Sequence, residues 1–123
     1  MSMVIGIGTD IVEIARLEQA FPNIGSRAFT PGEIAAANKL QRRSEYLAGR
    51  WAAKEAFAKA LGCGFGKDCS WQDIEITNDA KGKPVMQISG KTLETLTAAN
   101  GRNVHLSISH EKSYATAFVI IEG

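Results

Sequence analysis

The side chains best suited to chemistry in this chain are two carboxylates, Asp10 and Glu55, a lysine one helical turn past the second, Lys59, and a histidine near the end, His110. Glu55 and Lys59 lie in Arg50-Trp-Ala-Ala-Lys-Glu-Ala-Phe-Ala-Lys-Ala-Leu-Gly62, a segment otherwise built almost entirely from alanine and large apolar residues. On a helical wheel Ala48, Ala52 and Gly62 fall within about 60° of Glu55, with Trp51 and Lys59 about 40° to either side. Tyr46, Ala53, Phe57 and Leu61 lie toward the opposite side, so the helix is apolar nearly all round and is expected to be largely enclosed. A carboxylate there needs a partner, because burying an unpaired charge costs several kcal/mol. Two readings are open. Glu55 and Lys59 form an i, i+4 pair in the favourable order, worth about 0.2–0.5 kcal/mol on an exposed helix. Alternatively the alanines leave room for a bulky phosphate-bearing ligand, with Glu55 holding a metal ion and Lys59 a phosphate oxygen.

Asp10 also has two readings. Following a short strand-like run, it is placed to cap a helix, with Glu13 completing a capping box. Mg²⁺, however, is commonly held by one or two carboxylates, with waters and substrate phosphate oxygens as its other ligands, so Asp10 and Glu55 would suffice if they met in space. In Ser107-Ile-Ser-His110, alternation puts Ser107 and Ser109 on one face. His110 falls at the strand end, where it can titrate, donate to a phosphate or cap a turn. His105 reads as an ordinary sheet residue. A serine hydrolase is argued against by the lack of a Gly-x-Ser-x-Gly elbow, and adjacent Ser and His in a strand point to opposite faces.

The elements that must position these groups follow from periodicity and punctuation. Val4 to Gly8 reads as a buried strand, followed by an amphipathic helix from Ile11 to about Phe21 that Pro22-Asn-Ile-Gly25 ends. Thr30-Pro-Gly-Glu33 is a capping box opening a short helix toward Leu40. Ser44 is expected to cap the next helix, which runs through Leu61 and stops at Gly62. Gly62 to Asp68 is a loop, and Ile74–Thr77 and Val85–Ile88 form a hairpin around turn residues Asn78 to Pro84. Lys91 to Ala99 is a helix, and Val104–Ser109 with Tyr114–Ile121 a second hairpin. The pattern predicts one α+β domain over residues 1–123, helices packed with an antiparallel sheet.

Composition bounds the function classes. The chain has 123 residues and a net charge of +1, enough to bury one core. No apolar run approaches the roughly 20 residues that span a bilayer, and the N-terminus lacks a basic signal-like region, so a cytoplasmic protein without a membrane role is expected. Cys63 and Cys69, with no second pair to complete a zinc site, suit reduced cytosolic thiols better than a disulfide framework. Between Lys39 and Asp68, seven Lys or Arg face three acids. This basic segment suits phosphates, an acidic protein or simply a solvated helix surface.

Taken in order, Gly6-Ile-Gly-Thr-Asp10 with Glu13 and Arg16, then Trp51-Ala-Ala-Lys-Glu-Ala56 with Lys59-Ala-Leu-Gly62, then Ser107-Ile-Ser-His110, closely resemble the holo-acyl-carrier-protein synthases, small 4′-phosphopantetheinyl transferases. The likeness extends over essentially the whole chain, including Trp71-Gln-Asp-Ile-Glu-Ile and Gly82-Lys-Pro84. It implies that the phosphopantetheine arm of coenzyme A is moved to a serine of apo-acyl carrier protein in fatty acid biosynthesis, releasing adenosine 3′,5′-bisphosphate. Carried over by position, Asp10 and Glu55 become Mg²⁺ ligands and Lys59 the cation beside the pyrophosphate. Arg42, Arg50, Gly62, Ser109 and His110 become candidates for holding coenzyme A, and Arg16 and Arg27 for facing the acidic carrier protein. Glu55, His110 and Glu111 compete as acceptors of the serine proton. The resemblance also implies a homotrimer with sites between neighbouring subunits, His110 coming from a different chain than Asp10 and Glu55.

This sequence departs from the larger two-lobed members in having Val12 where they carry a second acid, and from the family's usual Phe in having Trp51. Two other classes compete: a non-catalytic module binding nucleic acid or another polyanion through Lys39 to Lys67, and a metal-dependent nucleotide hydrolase that needs no carrier protein.

Overall fold

The computed structural model describes residues 2–123. Five strands and four helices follow one another as β1 (Val4–Glu13), α1 (Ile14–Ala28), α2 (Pro31–Asn38), α3 (Arg43–Leu61), β2 (Ile74–Asn78), β3 (Pro84–Ile88), α4 (Gly90–Ala98), β4 (Asn103–His110) and β5 (Tyr114–Glu122). A short 3-10 turn, Trp71–Asp73, precedes β2. Both sheets are antiparallel, one in the order β1-β5-β4 and the other the β2-β3 hairpin. The α+β expectation and both hairpins therefore hold.

The α3 helix lies against the inner face of the larger sheet and is the spine of the core. Its Ala52, Ala53, Ala56 and Phe57 are fully buried and share one cluster with Val119 and Ile121 of β5 and Ile74 and Ile76 of β2. The contact with β1 is unusually close. A Cβ on Gly6 would fall 1.9 Å from the Ala60 carbonyl oxygen, and one on Gly8 1.9 Å from that of Ala56. These are backbone atoms of a packed helix, which cannot swing aside as a flexible side chain would. Gly8→Ala is therefore expected to lower unfolding free energy by about 3 kcal/mol, measured by urea titration. A loss below 0.5 kcal/mol would show that strand and helix slide apart freely.

Three local expectations need correction. The first strand is not buried, since Val4 and Ile7 are exposed on a strand at the edge of its sheet. Nor does it stop at Gly8; it pairs with β5 as far as Glu13 opposite Tyr114, because pairing with a long partner outweighs the local cap signal. Asp10 is thus mid-strand opposite Ala117, and the helix cap is Glu13, without a side-chain cap bond. Helix α1 does not end at Pro22 but passes through it to Ala28. Pro22 is exposed and forfeits one hydrogen bond, while Ile14, Leu17, Gly25 and Ala28 anchor the buried face. Ser44 lies inside α3, whose N-cap is Arg42 with no side-chain cap bond.

The other punctuation signals operate as expected. Thr30 and Glu33 make both halves of the capping box. Gly62 closes α3 at φ +82°, donating to the carbonyls of Ala58 and Lys59 at 3.0 and 3.1 Å. The larger sheet's outer face stays exposed and apolar, with Ile7, Ile11 and Phe118 at 61, 63 and 45 % exposure.

Candidate active site

Alternation along β1 puts Gly6, Gly8 and then Asp10 on the side facing α3. Gly6 meets Ala60 and Gly8 meets Ala56, so strand and helix run in opposite senses and Asp10 comes beside the turn that bears Glu55. Lys59 does not pair with Glu55, the simplest expectation for an i, i+4 pair. Its Nζ reaches across to β1, donating to Asp10 Oδ1 and to the Thr9 carbonyl, both at 3.0 Å. Glu55 lacks that direct partner. Burial, then the neighbouring Asp10 charge, pushes its carboxyl pKa up, with Lys59 opposing.

Asp10 and Glu55 both line a cleft of about 480 Å³ whose wall also includes Glu13, Arg16, Leu17 and Trp51. Among the described residues no three His, Cys, Asp or Glu side chains converge on a metal-sized site. A divalent cation between Asp10 and Glu55 would accordingly keep oxygens of water or ligand as its remaining donors, which is how Mg²⁺ is commonly bound. The two hard carboxylate donors, one already facing a cation in Lys59, fit that ion.

A second cleft, about 240 Å³, collects Arg42, Glu45, Tyr46, Gly49, Arg50 and His110. Arg50 is 6 % exposed, lies over the Tyr46 ring at 3.8 Å and donates to Asn78 Oδ1 at 3.0 Å. Its Nε is buried with no protein acceptor, a state that costs free energy unless a ligand or water completes it. His110 Nδ1 and Arg42 both approach Glu45, at 3.7 and 3.6 Å. Thus Asp10, Glu55, Lys59 and Arg16 come together, while Arg42, Arg50 and His110 gather in a different cleft. Ser109 sits exposed on β4, Gly62 exposed at the end of α3 and Arg27 exposed in the last turn of α1; none of the three lines either cleft. His105 is an exposed strand residue contacting Glu122 Oε1 at 3.1 Å.

Sequence reasoning missed the pair that holds this arrangement from behind. Lys54 and Glu33 are 0 and 1 % exposed. Lys54 Nζ donates to Glu33 Oε1 at 2.7 Å, the Ala28 carbonyl at 2.8 Å and the Trp71 carbonyl at 3.1 Å. Glu33 in turn accepts from the backbone N–H of Thr30 and of Ile76, at 2.9 and 2.8 Å. One buried ion pair therefore ties α1, α2, β2 and the 3-10 turn to α3. Burial pushes the Lys54 ammonium pKa down, with the Glu33 charge opposing. A signal was available, since Lys54 falls on the wheel between Leu47 and Leu61 in an otherwise apolar sector. Beside it Trp51 stacks on Trp71 at 4.4 Å, and Trp71 on Phe65 at 3.7 Å.

The family profile of the 4′-phosphopantetheinyl transferase superfamily matches residues 6–119. The chain is 47 % identical to a holo-[acyl-carrier-protein] synthase of Shewanella sediminis, covering 98 % of this chain and 99 % of that one. It is 44 % identical to one of Clostridium tetani, covering 98 % of each. Among solved structures, a holo-(acyl-carrier-protein) synthase from Bacillus anthracis in complex with CoA (3′,5′-ADP) superposes with a TM-score of 0.84 at 43 % identity, over 98 % of this chain and 97 % of that one. The Neisseria meningitidis enzyme gives 0.88 at 37 % identity, over 97 and 98 %. With both carboxylates of the sequence pattern in one cleft, and with likeness of this extent, the chain belongs to the 4′-phosphopantetheinyl transferase superfamily, as an enzyme of its holo-[acyl-carrier-protein] synthase family.

Proposed function

We propose that this enzyme transfers the 4′-phosphopantetheine group of coenzyme A to a serine of apo-acyl carrier protein, with Mg²⁺ held by Asp10 and Glu55. The observation that carries the reading is the cleft itself: a half-buried carboxyl of raised pKa beside a second carboxylate that is already paired with Lys59. In the transfer the serine oxygen forms a bond to the phosphorus that carries the pantetheine arm. The phosphoanhydride bond to the nucleotide breaks, and adenosine 3′,5′-bisphosphate leaves. Glu55 accepts the serine proton, a general-base role worth about 10²–10⁴-fold in rate. Lys59 turns toward the pyrophosphate and balances charge on its oxygens. Mg²⁺ at the two carboxylates would supply further positive charge opposite the same oxygens.

Arg42, Arg50 and His110 hold the nucleotide end, and the unpartnered Arg50 Nε supports this assignment. Because these residues occupy a cleft apart from Glu55, the reading places both halves of one site on neighbouring subunits of a homotrimer. The exposed apolar face bearing Ile7, Ile11 and Phe118 supports such association, since a soluble chain rarely leaves a patch of that kind open. Arg16 in the wall of the first cleft and Arg27 on α1 then face the acidic carrier protein, steering its approach. The enzyme would serve cytoplasmic fatty acid biosynthesis. Among the described residues no helix is long and apolar enough to cross a membrane. The polyanion-binding alternative loses support because Lys54, a cation of its basic segment, is buried in an ion pair with Glu33.

Intact-mass spectrometry of apo-acyl carrier protein incubated with the enzyme, coenzyme A and Mg²⁺ tests the reading. A gain of one phosphopantetheine, absent when EDTA is added, is expected. Release of nucleotide from coenzyme A without a gain on any folded carrier protein would favour the hydrolase instead.

A further inference from the structure

The loop between α3 and the 3-10 turn carries the chain's two cysteines, and the proposed transfer uses neither. Cys63 directly follows the glycine that closes α3, its N–H still bound to the Ala58 carbonyl at 3.2 Å. Cys69 ends the loop, and its carbonyl accepts from Gly66 N–H at 2.9 Å, which folds the chain back on itself. Both are free thiols, Cys63 half-buried and Cys69 buried. They pack on the same core cluster. Burial, followed by the Cys63 thiol lying against it, pushes the Cys69 thiol up to about 12.

The intervening chain carries two glycines with open space around them. Added Cβ atoms on Gly64 and Gly66 would meet nothing within 4 Å. A bridge between the two sulfurs would close within this short glycine-punctuated loop, whose Cys69 end is buried and whose Cys63 end is half-buried. The difference in exposure also sets an order of reaction. Cys63 is within reach of a dissolved reagent, and Cys69 is within reach only of Cys63.

We propose that Cys63 and Cys69 are an exchange-active pair that closes into an intrachain disulfide on reaction with a low-molecular-weight disulfide. The Cys63 thiolate attacks one sulfur of the small disulfide, forming a mixed disulfide and expelling one thiolate. Cys69, whose raised pKa keeps it mostly protonated, then loses its proton to solvent base and attacks the Cys63 sulfur, displacing the second thiolate in the slower of the two steps. The two thiol protons pass to the leaving thiolates, so one small disulfide is reduced to two thiols as the protein loses two hydrogens. In a reducing cytosol such bonds are transient and suit sensing rather than scaffolding. Phe65 lies between the two cysteines and stacks on Trp71, which stacks on Trp51 in the wall of the first cleft. Closing the bridge pulls on the outer ring of that stack.

The test incubates the full-length protein with oxidised glutathione and follows it by intact mass, by alkylation with iodoacetamide after denaturation, and by tryptophan fluorescence. The wild-type chain is expected to pass through a single-glutathione adduct and to end having lost the mass of two hydrogen atoms and both alkylation sites. A fluorescence shift should accompany this change and dithiothreitol should reverse it. Cys69→Ser should instead trap a single glutathione on Cys63, and Cys63→Ser should remain unmodified. Circular dichroism checks that both variants fold. A wild-type chain that stays reduced, keeps a stable single adduct or links into dimers on a non-reducing gel overturns the proposal. None of these readouts depends on phosphopantetheine transfer, so this proposal and the activity reading fail separately.

Discussion

Glu55→Gln is expected to slow phosphopantetheine transfer by about 10³-fold or more, since one change removes both the proton acceptor and a carboxylate donor to the cation. The same variant should melt higher than the parent in metal-free buffer near neutral pH. The sign follows from the raised pKa of Glu55, whose ordinary value is 4.5. An acid that holds its proton more tightly in the folded state contributes stability that is fully present below its unfolded pKa. That contribution is lost as pH rises through the folded pKa. At neutral pH the half-buried carboxyl is therefore a residual cost, and the neutral amide removes it. Added Mg²⁺ should raise the melting temperature of the parent and leave the variant nearly unmoved. Rates from a mass-spectrometric time course, paired with melting curves with and without Mg²⁺, check both halves. A variant within tenfold of parental turnover would remove Glu55 from the chemistry, and one that melts lower would make it a structural residue.

Lys54→Met should be the most destabilising single change of similar volume in the chain, by about 3–5 kcal/mol. The methionine fills the space but leaves the Glu33 charge buried without its cation, and the Ala28 and Trp71 carbonyls lose a donor. Adding Glu33→Gln should recover a substantial part of the loss. A neutral amide still offers an oxygen to Thr30 N–H or Ile76 N–H, now without an unpaired charge. Urea unfolding of the two single variants and the double variant, at one protein concentration, gives the coupling directly. Additive losses in the double variant would show that the ion pair is not the unit that matters.

The contrast between Glu55 and Lys54 also marks how far the sequence could be read. Signals that act within a turn or two were legible: the Thr30–Glu33 capping box, the left-handed stop at Gly62, and the turn from Asn78 to Pro84 that joins β2 and β3. Signals that depend on a distant partner were not. Asp10 carries the local chemistry of a helix cap, yet its backbone is claimed by β5. Pro22 looks like a stop, yet Gly25 and Ala28 are held against the core beyond it. Lys59 has Glu55 at the right spacing and reaches Asp10 instead, because β1 brings a second carboxylate closer. The residues of the site were thus identifiable by type and spacing. Their partners, and the division into two clefts, depended on which strand crosses which helix.

The close approach of Gly6 and Gly8 to Ala60 and Ala56 bears on how this enzyme would tolerate change. The strand bearing Asp10 and the helix bearing Glu55 meet main chain against main chain, so their approach at that point does not depend on the size of any side chain. Core residues away from this contact and from the Lys54–Glu33 pair can be traded for others of similar volume with less effect on how the two acids are set. Selection, or a protein engineer, can therefore adjust robustness and chemistry as nearly independent properties, provided the two glycines and the Lys54–Glu33 pair are left alone.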